Sequence, residues 1–103
     1  MRKISYRKTE FYSPRNKKEK ALVSALVSLR SETDMSAFMR DLMTLPEIEE
    51  FSNRLEIARL LLEGHSYEMI AKKAEVSTTT VTRVAHWLFK GSGGYWKALK
   101  RTK

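Results

Sequence analysis

The sequence predicts an all-α protein of about six helices built around a helix-turn-helix, and three observations carry that prediction. Apolar residues recur three and four positions apart along most of the chain, and runs that alternate apolar with polar residues are absent. Residues 66–88, SYEMIAKKAEVSTTTVTRVAHWL, split into two short helical patterns around a tight turn. With 103 residues and no cysteine, the chain is expected to form one small helical domain over residues 17–103, without disulfide or thiolate metal site, in a reducing cytoplasm. No run approaches the roughly 20 apolar residues of a membrane span, and the basic N-terminus lacks the apolar stretch of a signal peptide.

Residues 1–16 show no helical period. Arg2, Lys3, Arg7, Lys8 and Arg15 mix there with Tyr6, Phe11 and Tyr12, and Ser13-Pro14 interrupts the segment. It reads as a flexible basic arm, with a solvated tail and a DNA contact equally compatible. A helix follows from Lys17 to about Arg30, with Leu22, Ala25, Leu26 and Leu29 as its apolar stripe. Asp34 is the expected cap of the next helix, which carries Met35, Phe38, Met39, Leu42 and Met43. Thr44-Leu45-Pro46 opens a third, with Pro46 and Glu47 suited to a first turn and Gly64 to a C-terminal stop. Its apolar residues cover two faces: Ile48, Phe51, Leu55, Ala58 and Leu62 on one, Ile57, Leu60 and Leu61 on the other. That is wider than a surface helix needs and predicts burial on two sides, as in the middle of a homodimer.

Ser66 then caps a helix expected over Tyr67–Ala74, Glu75 and Val76 make the turn, and Ser77 caps a second helix from Thr78 to about Phe89. Ile70, Ala74, Val76, Val81, Val84 and Leu88 fall where such a helix pair needs apolar contacts, and Ala71 is small where the helices cross. Glu75 stands where the turn often has Gly; a positive φ at a non-glycine residue costs on the order of 1 kcal/mol. Gly91-Ser92-Gly93-Gly94 breaks the chain before a short last helix begun by Tyr95, Trp96, Ala98 and Leu99.

The outward face of the second helix of the pair is Thr78, Thr79, Thr80, Thr82 and Arg83. Threonine is a mediocre helix former, so four of them within five positions are hard to explain by stability. Short hydroxyls with one guanidinium suit base edges and phosphates, and Lys72 and Lys73 join them as candidate DNA-binding residues. The charge agrees: net +8 overall, divided as +6 over residues 1–20, −4 over 21–63 and +6 over 64–103, which separates a basic surface from an acidic body.

Catalysis is not expected. His65 and His86 stand 21 residues apart without an Asp or Cys grouping at ligand spacing, and the GSGG stretch lacks the Lys-Ser/Thr of a phosphate-binding loop. No metal or cofactor is expected either. The rival to a DNA-binding function is a protein-interaction or dimerisation adaptor whose helix pair is only structural.

Residues 53–88 resemble the tryptophan repressor family through Asn53-Arg54-Leu55-Glu56-Ile57, Leu61-Leu62-Glu63-Gly64, Ser66 and Thr80-Val81-Thr82-Arg83. RLEIARLLLEG and STTTVTRV are closest to an uncharacterised repressor-like subgroup of it. The resemblance implies an intertwined homodimer that binds double-stranded DNA at a palindromic operator and represses transcription. It also implies a ligand pocket in which Arg54 and Arg83 match two arginines. Val84 replaces a glycine of that pocket and Trp87 a serine. Both are larger and apolar, so tryptophan is not the expected corepressor; Trp87 is expected to fill the space from within, and any effector is unknown. A regulator gated by another small ligand is the remaining alternative.

Overall fold

The structure, a computed structural model, describes residues 7–101; Arg2, Lys3 and Tyr6 of the arm, and Lys103, lie outside the described residues. Among the described residues the elements are α1 (Lys17–Ser28), α2 (Glu32–Leu42), α3 (Leu45–Leu62), α4 (Tyr67–Ala74), α5 (Thr78–Lys90) and α6 (Gly94–Arg101), with no strand. The all-α class and the helix-turn-helix are therefore as the sequence predicts. Two compact units divide the chain: Tyr12–Glu50, and Phe51 onward together with the segment up to Phe11.

In the unit Tyr12–Glu50 the helix ends are set by local hydrogen bonds. Asn16 caps α1, its Oδ1 accepting from the Glu19 N–H at 3.0 Å. The Glu19 carboxylate in turn accepts from Tyr12 Oη, from the Arg15 N–H and from Arg15 Nε. The Arg15 guanidinium, then the Tyr12 hydroxyl, hold this carboxyl down to about 2. At the other end, Ser28 Oγ donates to the Ala25 carbonyl at 2.7 Å and the chain turns extended at Leu29, so α1 ends two residues short of the expected Arg30.

Helix α2 begins earlier than predicted. Its cap is Ser31, whose Oγ accepts from the Asp34 N–H at 3.0 Å. Asp34 lies inside the first turn with Glu32, where both carboxylates meet the positive end of the helix dipole. Ser and Asp are both good caps; the serine came first in the chain and left Asp34 a helical role. Thr44 and Glu47 form a reciprocal capping box at the start of α3: the Thr44 N–H donates to Glu47 Oε1 at 2.9 Å and the Glu47 N–H to Thr44 Oγ1 at 3.2 Å. No residue of α1 or α2 is buried, and Val27 is 74% exposed.

The core lies in the second unit. Ile57, Ala58, Leu60 and Leu61 of α3, Ile70 and Ala71 of α4, and Val81, Val84, Ala85 and Leu88 of α5 form one buried cluster, edged by Tyr67, Val76, Phe89, Tyr95, Trp96 and Leu99. Removing a Val, Leu or Ile side chain from water stabilises by roughly 1.5–3 kcal/mol, so these few residues hold α3, α4 and α5 together. On α3 the face Ile57, Leu60 and Leu61 is covered, whereas the other predicted face is covered only toward its end: Ala58 is buried and Leu62 packs on the core, but Phe51 and Leu55 stay 41% and 43% exposed.

Two helices of this unit end the same way with different residues. At α3, the His65 N–H donates to the Leu60 carbonyl and the Gly64 N–H to Leu61, with Gly64 at φ +90°. At α4, the Val76 N–H donates to Ala71 and the Glu75 N–H to Lys72, with Glu75 at φ 57°, ψ 47°. Both are Schellman ends, which need a left-handed residue. Glu75 is the only positive-φ residue other than glycine among the described residues. It is held there because Val76 must turn back onto the core.

Two predictions follow from these ends. Glu75→Gly relieves the left-handed strain, which slightly outweighs the added entropy of the unfolded chain, so it should stabilise the fold by about 0.5 kcal/mol in denaturant unfolding. Gly91→Ala should do the reverse. A Cβ there would lie 2.2 Å from the Trp87 carbonyl oxygen, a backbone atom of α5 that cannot swing aside. The expected loss is about 1–3 kcal/mol, read as a lower denaturation midpoint.

Candidate nucleic-acid interface

The candidate surface begins with how α5 is started. Ser66 caps α4, its Oγ accepting from the Met69 N–H at 3.2 Å, and Ser77 caps α5, its Oγ accepting from the Thr80 N–H at 3.2 Å. With both caps made, the turn Glu75–Ser77 fixes where α5 leaves α4. The buried side of α5 is Val81, Val84, Ala85 and Leu88, so Thr78, Thr79, Thr82, Arg83, His86 and Trp87 lie on the exposed side.

The threonines are not equivalent. Thr80 is half-buried, and its Oγ1 lies 3.1 Å from Ser77 Oγ. Thr82 Oγ1 donates to the Thr78 carbonyl at 2.9 Å, the back-bonding that helical threonines often make. Thr78 and Thr79 are exposed, and neither side chain has a hydrogen-bond partner among the described residues. Their hydroxyls can both donate and accept at no cost to the fold. Arg83 is exposed one turn further on, also without a partner among the described residues. The sequence pattern could not separate the four threonines, because hydroxyl bonding depends on rotamer and on the cap at Ser77.

Lys72 and Lys73 sit exposed in the last turn of α4, where cations favour the negative end of the helix dipole. Lys73 is close enough to Glu56 on α3 to help lower that carboxyl, after the larger effect of the Arg59 hydrogen bond. Glu56 and Glu63 both accept from the Arg59 guanidinium. A single guanidinium thus meets both carboxylates at this end of α3.

The four residues of the resembled ligand pocket do not share one environment. Arg54 is exposed on α3, its guanidinium carbon 5.4 Å from the centre of the Phe51 ring. Its charge is also felt at Tyr95, whose hydroxyl burial pushes up. Val84 is 4% exposed and belongs to the core. Trp87 is 49% exposed and stands edge-on to His86, with ring centres 5.3 Å apart. The expectation that Trp87 fills the space from within is therefore not met inside one chain. Val84, Ala85 and Leu88 take the inward positions of this turn, and residue 87 falls on its flank.

His65 is half-buried with Nε2 3.3 Å from Glu63 Oε1, and His86 is exposed. Among the described residues, no group of three His, Cys, Asp or Glu could hold a metal, and no helix is long and apolar enough to cross a membrane. One supporting contact escaped the sequence reading. Trp96 of α6 donates its indole N–H to the Leu88 carbonyl at 2.6 Å, tying the last helix to the end of α5. Only the general rule that an enclosed indole N–H seeks an acceptor hints at it.

This geometry can be set beside known proteins. Residues 17–103 match the family model for the Trp repressor protein. The chain is 37% identical over 89 residues to the uncharacterized protein YerC of Bacillus subtilis (strain 168), covering 86% of each. Among solved structures it superposes on a TrpR like protein from Eubacterium eligens ATCC 27750 with a TM-score of 0.79 and 33% identity, over 84% of this chain and 90% of that one. With its six helices, its helix-turn-helix at Tyr67–Lys90 and these matches, the chain belongs to the Trp repressor family.

Proposed function

We propose that this protein is a transcriptional repressor that binds a palindromic operator in double-stranded DNA as a homodimer, without tryptophan as corepressor. The observation that carries the reading is the start of α5: Thr78 and Thr79 with unengaged hydroxyls, and Arg83 one turn on, on a helix whose other side is locked in the core. Thr78 and Thr79 read base edges. Arg83, Lys72 and Lys73 meet phosphates. Thr80 and Thr82, engaged within the helix, shape its first turns and position the other two.

The apolar surface supports a homodimer. Leu22, Val23 and Val27 on α1, Leu42 on α2, and Phe51 and Leu55 on α3 are all exposed in one chain. Apolar side chains left exposed along helix faces favour packing against another surface. The pocket positions support independence from tryptophan: the glycine and serine of the resembled pocket are Val84 and Trp87 here.

Selection of duplexes from a random-sequence pool tests the function, and a steep fall of affinity with salt separates a DNA binder from an adaptor. Selected sites should hold half-sites about 10 bp apart. Thr78→Val with Thr79→Val should cut the preference for a selected duplex over a random one by about tenfold or more, while leaving random-duplex affinity nearly unchanged. Arg83→Ala should weaken both and reduce the salt slope by about 1. Millimolar L-tryptophan should change none of these values; a large gain would overturn the pocket argument.

Assembly is tested by dilution. The melting temperature should rise with protein concentration, and sedimentation should give twice the chain mass at micromolar concentration. Phe51→Ala should lower both the melting temperature and the fraction of dimer. A concentration-independent melt of a single-chain species would refute the dimer.

A further inference from the structure

The last four carbonyls of an α-helix have no partner within it. At α5 they are those of Trp87, Leu88, Phe89 and Lys90, and each is met. Trp87 accepts from the Gly91 N–H at 3.0 Å and Leu88 from the Trp96 indole. The other two are met from the far end of the sequence. Phe89 accepts from the Arg7 N–H at 2.9 Å and Lys90 from the Thr9 N–H at 3.1 Å, while Thr9 Oγ1 also donates to Lys90. Ser92 Oγ closes the contact by donating to the Glu10 carbonyl at 3.2 Å. These bonds span 81 and 82 residues of chain, so local propensity does not impose them.

We propose that residues 7–10 are a clamp on the C-terminal end of the reading helix, with Thr9 as its positioning residue. This rests on α5 being the helix that reads DNA. Thr9 acts roughly 16 Å from Thr79, at about 1.5 Å of rise per residue. It touches no base. Alternate residues Arg7 and Thr9 point their N–H groups to α5, as an extended segment does, so the clamp works through main-chain donors and one hydroxyl. Its effect travels along a rigid body: Leu88 is fully buried and Phe89 packs on the core, so fixing the carbonyls beside them fixes the tilt of α5 over α4. A helix that pivots at its end would swing Thr78 and Thr79 out of register with base edges while its charges still met phosphates. The clamp therefore serves sequence preference and not general affinity. Arg7, Lys8 and Lys90 are cations in the two segments that these bonds join, at the end where the helix dipole is negative.

The test has one arm without DNA. In the unmodified full chain, the Arg7 and Thr9 amide protons should exchange about tenfold or more slowly than those of Lys8 and Glu10, although all four residues are exposed. Equal exchange overturns the clamp whatever the protein binds. The second arm uses a duplex selected by the unmodified protein from a random pool, beside an unselected random duplex. Thr9→Pro removes both donors to Lys90 and should weaken the selected duplex about five- to tenfold, the worth of one or two hydrogen bonds, with random-duplex affinity and salt slope unchanged. Thr9→Ser keeps both donors and should restore the selected affinity. Equal loss on both duplexes with a smaller salt slope would make the segment a phosphate contact and overturn the proposal, as would failure of Thr9→Ser to restore. If the unmodified protein selects no duplex, the DNA reading fails while the exchange arm still decides whether the clamp exists.

Discussion

The packing of the inner side of α5 on α3 and α4 is the interaction on which the rest depends. Val81, Val84, Ala85 and Leu88 are buried against a cluster that includes Ile57, Leu61 and Ile70. Those four positions, three and four apart, fix the rotation of α5 about its own axis. Once that rotation is fixed, Thr78, Thr79 and Arg83 have nowhere to face but solvent. A hydrophobic contact thus decides the orientation of a polar surface. The same contact explains why Trp87 is half-exposed: the inward positions around it were already occupied.

The second constraint is the satisfaction of helix ends. Short helices lose a large share of their hydrogen bonds at their termini, so a unit made of α4, α5 and α6 depends on what covers them. Serines 31, 66 and 77 each accept from a first-turn N–H. Gly64 and Glu75 supply left-handed ends. The end of α5 draws on Gly91, Trp96, Arg7 and Thr9. The turn at Glu75 carries strain because a Schellman end there lets Val76 bend back to the core, and the burial gained exceeds the roughly 1 kcal/mol of backbone cost.

The unit Tyr12–Glu50 stands on different terms. Its helices are well capped, yet none of the residues of α1 or α2 is buried. Local hydrogen bonds such as those around Glu19 define where these helices start and stop but contribute little to holding them, since exposed pairs are screened by water. Amphipathic helices with an uncovered apolar side need a surface to pack on, and this supports the dimeric reading.

The sequence by itself determined the class, the order of the helices and the ends that local chemistry controls. Tyr67–Ala74 is legible residue for residue because Ser66 and the Glu75-Val76 turn bracket it, and the start of α5 at Thr78 follows from Ser77. Spacing also named most of the core, since burial on a helix follows its period. Only the tertiary structure decided the rest. It chose Ser31 over Asp34 as a cap, left Phe51 and Leu55 of α3 exposed, and divided the threonines into two with engaged hydroxyls and two without. It also brought Arg7 and Thr9 to the end of α5. The reason is common to all of these. Periodicity reports which side of a helix is apolar, but partners distant in sequence, and the rotamers that competing acceptors select, exist only once the chain has folded.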